Sequence, residues 1–185
     1  MQNGNGGVTL WFTGLPCSGK TTIAEIVKAE LERKQVPVEL LDGDEIRKHF
    51  SKGVGFTKED RNNHLQRVAY LCHLLSKHGV VVLASFVSPY RENRDNARQL
   101  LGDRFSEIFV DTPVEECIKR DVKGMYKKAL AGEIKQFTGV SDPYEPPVSP
   151  ELLIKTTGET PQESAAKVLE VLDGMRAKLN GAAHT

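Results

Sequence analysis

Apolar residues in this chain fall into two alternating kinds of run. Short continuous runs of strand length occur at 8–13, 36–41, 80–86, 107–111 and 152–156. The run at 80–86 is almost unbroken, as expected of a strand in a parallel sheet covered on both faces. Between these runs, apolar residues recur three and four apart, which predicts helices at 22–31, 57–78, 90–101, 114–120 and 161–179. The apolar face of the second is marked by Leu65, Val68, Ala69, Leu71, Cys72 and Leu75, with Thr57 as its cap and Gly79 after its end. A short helix is expected at 44–50 and a basic helical segment at 123–134. Residues 51–56 and the Gly-, Pro- and Asp-rich 137–150 read as loops. Strands alternating with helices predict an α/β fold: three layers, α/β/α, around a doubly wound parallel sheet of about five strands.

The 185 residues suggest one domain, spanning about 8–180, with a flexible lead at 1–7 and a flexible tail at 181–185. Lys plus Arg and Asp plus Glu both number 25, so zero net charge gives no support to nucleic-acid or anionic-membrane binding. No apolar run approaches the ~18 residues of a membrane span, and the polar start has no signal-peptide core. A cytoplasmic setting is therefore expected. Cys17, Cys72 and Cys117 lack metal-ligand spacing and fit a reducing compartment. Cys72 and Cys117, on apolar helical faces, read as core.

The first predicted strand runs into Gly14-Leu15-Pro16-Cys17-Ser18-Gly19-Lys20-Thr21, followed by Thr22 and a helix. Glycine, four residues, then Gly-Lys-Thr is the spacing of a phosphate-binding loop, and strand–loop–helix is its context. The glycines let successive N–H groups turn inward around phosphate oxygens. Lys20 brings a charge to the terminal phosphates and Thr21 a hydroxyl to Mg²⁺.

Ligands of such sheets sit at the carboxyl ends of the strands. That rule brings Asp42 and Asp44 to the loop's edge, where a carboxylate can hold Mg²⁺ or take a proton from an attacking hydroxyl. Asp44 serves equally as a cap of the short helix. Arg47, Arg61, Arg91 and Arg94 fall near the same edge and suggest a polyanionic acceptor. Phe56 and Phe137, in Gly-rich loops, either clamp an aromatic base or plug their own loops. The basic segment from Lys123 reads as a lid, extending over about 123–150, or as a plain solvated helix.

Together these blocks resemble the adenylyl-sulfate kinase (APS kinase) family over about 8–172. The resemblance rests on Gly14 to Thr22, Asp42-Gly43-Asp44 with Arg47, Gly55-Phe56 with Asp60-Arg61, and Ser88-Pro89-Tyr90-Arg91. It rests also on Arg120-Asp121-Val122-Lys123-Gly124-Met125-Tyr126, Phe137-Thr138-Gly139 and Pro143-Tyr144-Glu145. It implies a P-loop kinase fold with a helical lid. The implied reaction is transfer of the γ-phosphate of ATP to the 3′-hydroxyl of adenosine 5′-phosphosulfate (APS), giving PAPS and ADP in sulfate activation. Carried over by position, residues 14–22 and Arg120 would hold ATP, and Thr21 and Asp42 would hold Mg²⁺. Lys20, Asp42, Ser88 and Lys123 would be catalytic. Asp44, Arg47, Phe56, Arg61, His64, Ser88, Pro89, Tyr90, Phe137, Thr138 and Gly139 would meet APS. Ser88 matches a serine described in some members as a phosphoserine intermediate, although direct in-line transfer needs none. Members are commonly homodimers, and some are fused to ATP sulfurylase, so a functional association with that enzyme is a further expectation.

The sequence departs from the family pattern at His64, usually Asn, at Gln66, usually Arg, and at Leu130, usually Arg. Those departures leave open a kinase of the same fold acting on a related nucleotide anhydride. A nucleotide-binding module without catalysis is a third reading, opposed by intact Lys20, Thr21, Asp42 and Lys123.

Overall fold

The computed structural model describes residues 6–50, 53 and 55–182. Its elements are β1 (Thr9–Thr13), α1 (Lys20–Arg33), β2 (Val38–Asp42), α2 (Gly43–Phe50), α3 (Lys58–Lys77), β3 (Val81–Ser85), α4 (Arg91–Leu101), β4 (Phe105–Asp111), α5 (Val114–Arg120), α6 (Met125–Leu130), β5 (Leu152–Lys155) and α7 (Pro161–Ala182). The five strands form one parallel sheet in the order β2-β3-β1-β4-β5. Helices cover both faces, so the three-layer reading holds.

Two apolar layers sandwich the sheet. On one face Leu10, Phe12, Leu83, Ile108 and Val110 pack against Ile23, Ala24 and Val27 of α1 and Val168 and Leu172 of α7. On the other, Trp11, Val82, Ala84 and Phe105 meet Leu65, Val68 and Cys72 of α3 and Ala97 and Leu101 of α4. Alternate residues of each central strand serve opposite layers, which is why β1 and β3 are buried throughout. Thr57 and Asp60 close a reciprocal capping box on α3.

Several boundaries differ from the sequence reading. Strand β4 starts at Phe105, two residues early, because buried Glu107 is neutralised by Arg94 at 2.6 Å and Arg98 at 3.4 Å instead of marking a solvated strand end. Only Met125–Leu130 of the basic segment is helical: Asp121 accepts from the N–H groups of Tyr126 and Lys127 and starts the helix late, and Gly132 at φ 76° follows its end. Gly6 and Gly7 are buried, and Arg104 donates to the Gly7 carbonyl, so the end of the expected lead is packed. Helix α7 reaches Ala182, two residues into the expected tail. Of the loop at 51–56, Ser51, Lys52 and Val54 lie outside the described residues.

The sheet order creates a switch point. From β1 the chain moves to β2 and β3 on one side, then to β4 and β5 on the other, leaving a crevice at the carboxyl end of β1. The glycine loop leaves β1 at that crevice.

Candidate active site

The loop's shape requires its glycines. Gly14 has φ 150°, and a Cβ there would lie 2.5 Å from the Val110 carbonyl oxygen of β4. Gly19 has φ 105° and occupies the cap position of α1, whose first turn then faces the crevice. Two tethers hold the loop from the β4–β5 side. Arg120 bridges the Ser18 carbonyl and the Thr156 hydroxyl at 3.1 Å each, and Thr112 donates to the Ser18 carbonyl at 2.9 Å. Cys17 takes φ 61° and packs with buried Cys117, Tyr126 and Phe137.

Lys20 folds back over its own loop. Its ammonium donates to the carbonyls of Gly14 at 3.0 Å and Leu15 at 2.7 Å. Burial lowers its pKa from 10.5 to about 8, opposed by nearby Cys117, Cys17, Asp42 and Asp44. Thr21 points the other way. Its hydroxyl donates to Asp42 Oδ2 at 2.9 Å and lies 3.0 Å from the Ser85 hydroxyl. Register places Asp42 beside Ser85 at the carboxyl ends of β2 and β3.

Asp42 does two things at once. Its second oxygen, Oδ1, accepts from the backbone N–H groups of Asp44 and Glu45, so Asp42 is the cap of α2. The capping alternative weighed for Asp44 therefore belongs to Asp42. The exposed Asp44 carboxylate instead makes an ion pair with Lys123, which precedes α6. That contact brings the segment before α6 to the edge where Thr21 and Asp42 meet.

Arg61, at the start of α3, gathers the loop beyond the lid helix. It donates to the Phe56 carbonyl at 2.9 Å, the Thr138 hydroxyl at 2.9 Å and the Gln136 carbonyl, and pairs with Asp142 at 3.3 Å. Arg47 donates to the Gly55 carbonyl and lies 4.4 Å over the Phe56 ring. Burial, and next to it the Arg61 charge, push its pKa down. Phe56 is 54% exposed, with the Arg61 guanidinium also within 5.8 Å of its ring. His64 is only 4% exposed and lies against Phe86, with ring centroids 5.9 Å apart. Burial, then Arg47 and Arg67, lower its pKa from 6.5 to about 4, so the ring is neutral near pH 7. Gly139 takes φ 91° with Leu15 of the glycine loop beside it, and Pro89 and Tyr90 are buried at the start of α4.

Ser88 and Arg94 stand elsewhere than the sequence suggested, and Phe137 takes the second of its two readings. Ser88 is 2% exposed, and its hydroxyl accepts from Trp11 Nε1 at 3.1 Å and donates to Thr13 Oγ1 at 3.0 Å, so it faces the sheet instead of the crevice. Phe137 is 8% exposed and meets Tyr126 edge-on at 4.9 Å, so it plugs the lid instead of presenting a stacking face. Arg94, 2% exposed, pairs with Glu107 beneath the surface; it is not a cleft arginine. Thr22, by contrast, is exposed on the first turn of α1.

Ser85, Thr112 and Asp142 were missed. Each is a small polar or acidic residue at a strand end or in a loop, and only Ser85 carried a signal, as a polar residue closing an apolar strand.

The crevice thus joins two sets of groups. One is a glycine loop with a buried lysine and a Thr–Asp pair, suited to a nucleoside polyphosphate. The other is an arginine pair with an exposed aromatic ring, near the basic segment that Asp44 holds through Lys123, suited to an anionic aromatic partner. The family model described as adenylylsulphate kinase matches residues 6–155. The adenylyl-sulfate kinase of Gloeothece citriformis is 51% identical over 167 residues, covering 90% of this chain and 94% of that protein. That of Halothermothrix orenii is 50% identical, covering 90% of each. The structure of the Mycobacterium tuberculosis APS kinase CysC in complex with AMPPNP and APS superposes with a TM-score of 0.87 at 39% identity, over 90% of this chain and 98% of that one. A Sinorhizobium meliloti gluconokinase, at 19% identity and a TM-score of 0.59, shares the fold alone. With donor-side loop, paired arginines and lid in one crevice, and with half its sequence shared with such relatives, the chain belongs to the adenylylsulphate kinase family.

Proposed function

We propose that this protein transfers the γ-phosphate of ATP to the 3′-hydroxyl of APS, releasing ADP and PAPS. The observation that carries this reading is the meeting of Thr21 and Asp42 at 2.9 Å at the start of α2, the helix whose Asp44 holds Lys123 and whose Arg47 reaches Phe56 beside Arg61. Donor-side and acceptor-side groups there share one edge of the sheet.

In this reading Lys20 leaves the loop carbonyls for the β- and γ-phosphate oxygens, beside inward-turned amides of residues 14–19. The Thr21 hydroxyl and Asp42 Oδ2 are two hard oxygen donors, a fit for Mg²⁺, which commonly takes few protein ligands and completes its shell with phosphate and water. Among the described residues no group of three or more His, Cys, Asp and Glu could hold a metal alone, consistent with an ion that arrives with the nucleotide. When bound, Mg²⁺ neutralises charge on the transferring phosphoryl group. Asp42, oriented by its α2 cap, can also accept a hydrogen bond from the acceptor hydroxyl.

The acceptor oxygen gives its proton to Asp42 and bonds to the γ-phosphorus as the bond to the β,γ-bridging oxygen breaks, and ADP leaves with that electron pair. Arg47 and Arg61 are the groups for the phosphosulfate, and the exposed Phe56 ring for the adenine. His64, neutral, supplies a hydrogen bond without charge. Lys123 exchanges Asp44 for phosphate oxygens as the lid closes and excludes water. Arg120 steadies the donor loop. Ser88 has no covalent part, because its buried hydroxyl is engaged with Trp11 and Thr13. A cytoplasmic homodimer operating beside ATP sulfurylase completes the proposal; kinship to a hexameric APS kinase supports only its oligomeric part.

The test is ADP release with micromolar APS and Mg-ATP, with the product identified by mass. PAPS formation with APS, and none without it, is the expected result. Turnover only with another nucleotide anhydride would overturn the acceptor assignment.

A further inference from the structure

We infer that Glu145 is a positioning residue for the acceptor: its carboxylate caps α4 from a distant loop and thereby fixes the acceptor-side lid. The inference rests on the APS kinase reading above.

Helix α4 begins just after Ser88-Pro89-Tyr90, yet its cap residue, Tyr90, makes no side-chain cap hydrogen bond. The need is met from 54 residues away. The Arg91 backbone N–H donates to Glu145 Oε2 at 2.8 Å, which puts a carboxylate on the positive end of an eleven-residue helix. The same short segment is tied three more times. Glu145 N–H donates to the Pro89 carbonyl at 2.8 Å, Arg91 Nε to the Pro146 carbonyl at 2.8 Å, and Arg94 Nη2 to the Glu145 carbonyl at 2.6 Å. Arg94 is itself anchored on Glu107 and also holds the Ser88 carbonyl, where the chain takes the unusual φ of 40°. One residue earlier, Tyr144 stacks on Phe109 at 5.9 Å, and its hydroxyl lies 2.9 Å from that of Thr13.

Just N-terminal to this anchor lies a self-closed turn. The N–H groups of Val140, Ser141 and Asp142 all reach the Phe137 carbonyl, and Gly139 N–H reaches that of Asp142. The turn presents Thr138 and Asp142 to Arg61. Arg61 holds one end of the acceptor lid and Glu145 the other. The donor-side loop touches this turn where Gly139 meets Leu15, but it is held by its own tethers, Arg120 and Thr112, neither of which bonds Glu145. Loss of the carboxylate therefore loosens the APS side selectively.

The experiment measures KM for APS and for ATP separately in Glu145→Ala and Glu145→Gln, with hydrogen exchange of 137–142. Gln keeps an oxygen to accept from Arg91 N–H; Ala does not. Expected in Glu145→Ala are a rise in KM for APS of about tenfold or more, KM for ATP within about twofold, and faster exchange in the turn. Glu145→Gln should stay within about threefold of wild type for both. Unchanged KM for APS in Ala, a joint rise of both constants, or a Gln variant as impaired as Ala would each overturn the inference. Should Glu145→Ala fail to fold, Glu145→Asp, a methylene too short, must show the same selective rise or the inference falls. Wild-type protein inactive with APS would instead overturn the functional reading, a result separable from all of these.

Discussion

The Thr21 hydroxyl donates to Asp42 Oδ2 at 2.9 Å while the other oxygen of the same carboxylate caps α2. One side chain thus fixes a helix and faces the phosphate loop, and the two duties can be separated by substitution. Asn keeps an oxygen for the cap but removes the charge. Asp42→Asn should reduce kcat by about a hundredfold or more, with little change in melting temperature. Asp42→Ala should lose as much activity and a further ~1 kcal/mol of stability from the missing cap. Steady-state kinetics beside thermal melts decide; an Asn variant that melts early yet turns over normally would confine Asp42 to structure.

Lys20 supplies a pH dependence. Its pKa in the free protein is lowered to about 8, so the ammonium is charged below that pH and neutral above it. ATP attracts the charged form. The affinity for ATP should therefore be level between pH 6.5 and 7.5 and fall as pH rises through about 8, where an ordinary lysine would fall only near 10.5. Bound phosphate should raise the pKa again, so binding near pH 8.5 takes up protons. ATP titrations in two buffers of different ionisation enthalpy measure this, and an affinity unchanged to pH 10 would contradict it.

His64 sets a limit on the acid side. Its pKa is about 4 when folded and 6.5 when exposed, so the unfolded chain takes up the proton first. The stability tied to the neutral ring is whole above pH 6.5 and is lost progressively as pH falls toward 4. At pH 5 that loss is about 2 kcal/mol. His64→Asn, which cannot titrate there, should lose less stability than wild type between pH 7 and 5. Urea unfolding at the two pH values gives the difference, and parallel losses in both proteins would refute it.

Much of this arrangement was legible in the sequence. Continuous apolar runs located β1, β3 and β4 because the sheet hides both faces of its inner strands, short apolar runs located the partly exposed edge strands β2 and β5, and glycine spacing located the donor loop because only glycine escapes the Val110 carbonyl at position 14. Buried polar pairings were not legible. Arg94 read as a cleft arginine and Glu107 as the start of a strand, since nothing local shows that each neutralises the other under α4. Ser88 read as a site residue for its position after β3, but its side-chain direction depends on Trp11 and Thr13, 77 and 75 residues away. Phe137 read equally as clamp or plug, and only its edge contact with Tyr126 settled its place in the lid.

The hold of Lys20 on the Gly14 and Leu15 carbonyls bears on turnover as well as on binding. A nucleotide entering this loop displaces partners the lysine already has, so its capture is an exchange between two hydrogen-bonded states. Departure is eased by the same contacts: as ADP leaves, the ammonium returns to the carbonyls and is never left bare in a buried place. A loop that serves as its own stand-in ligand trades tightness of grip for speed of release.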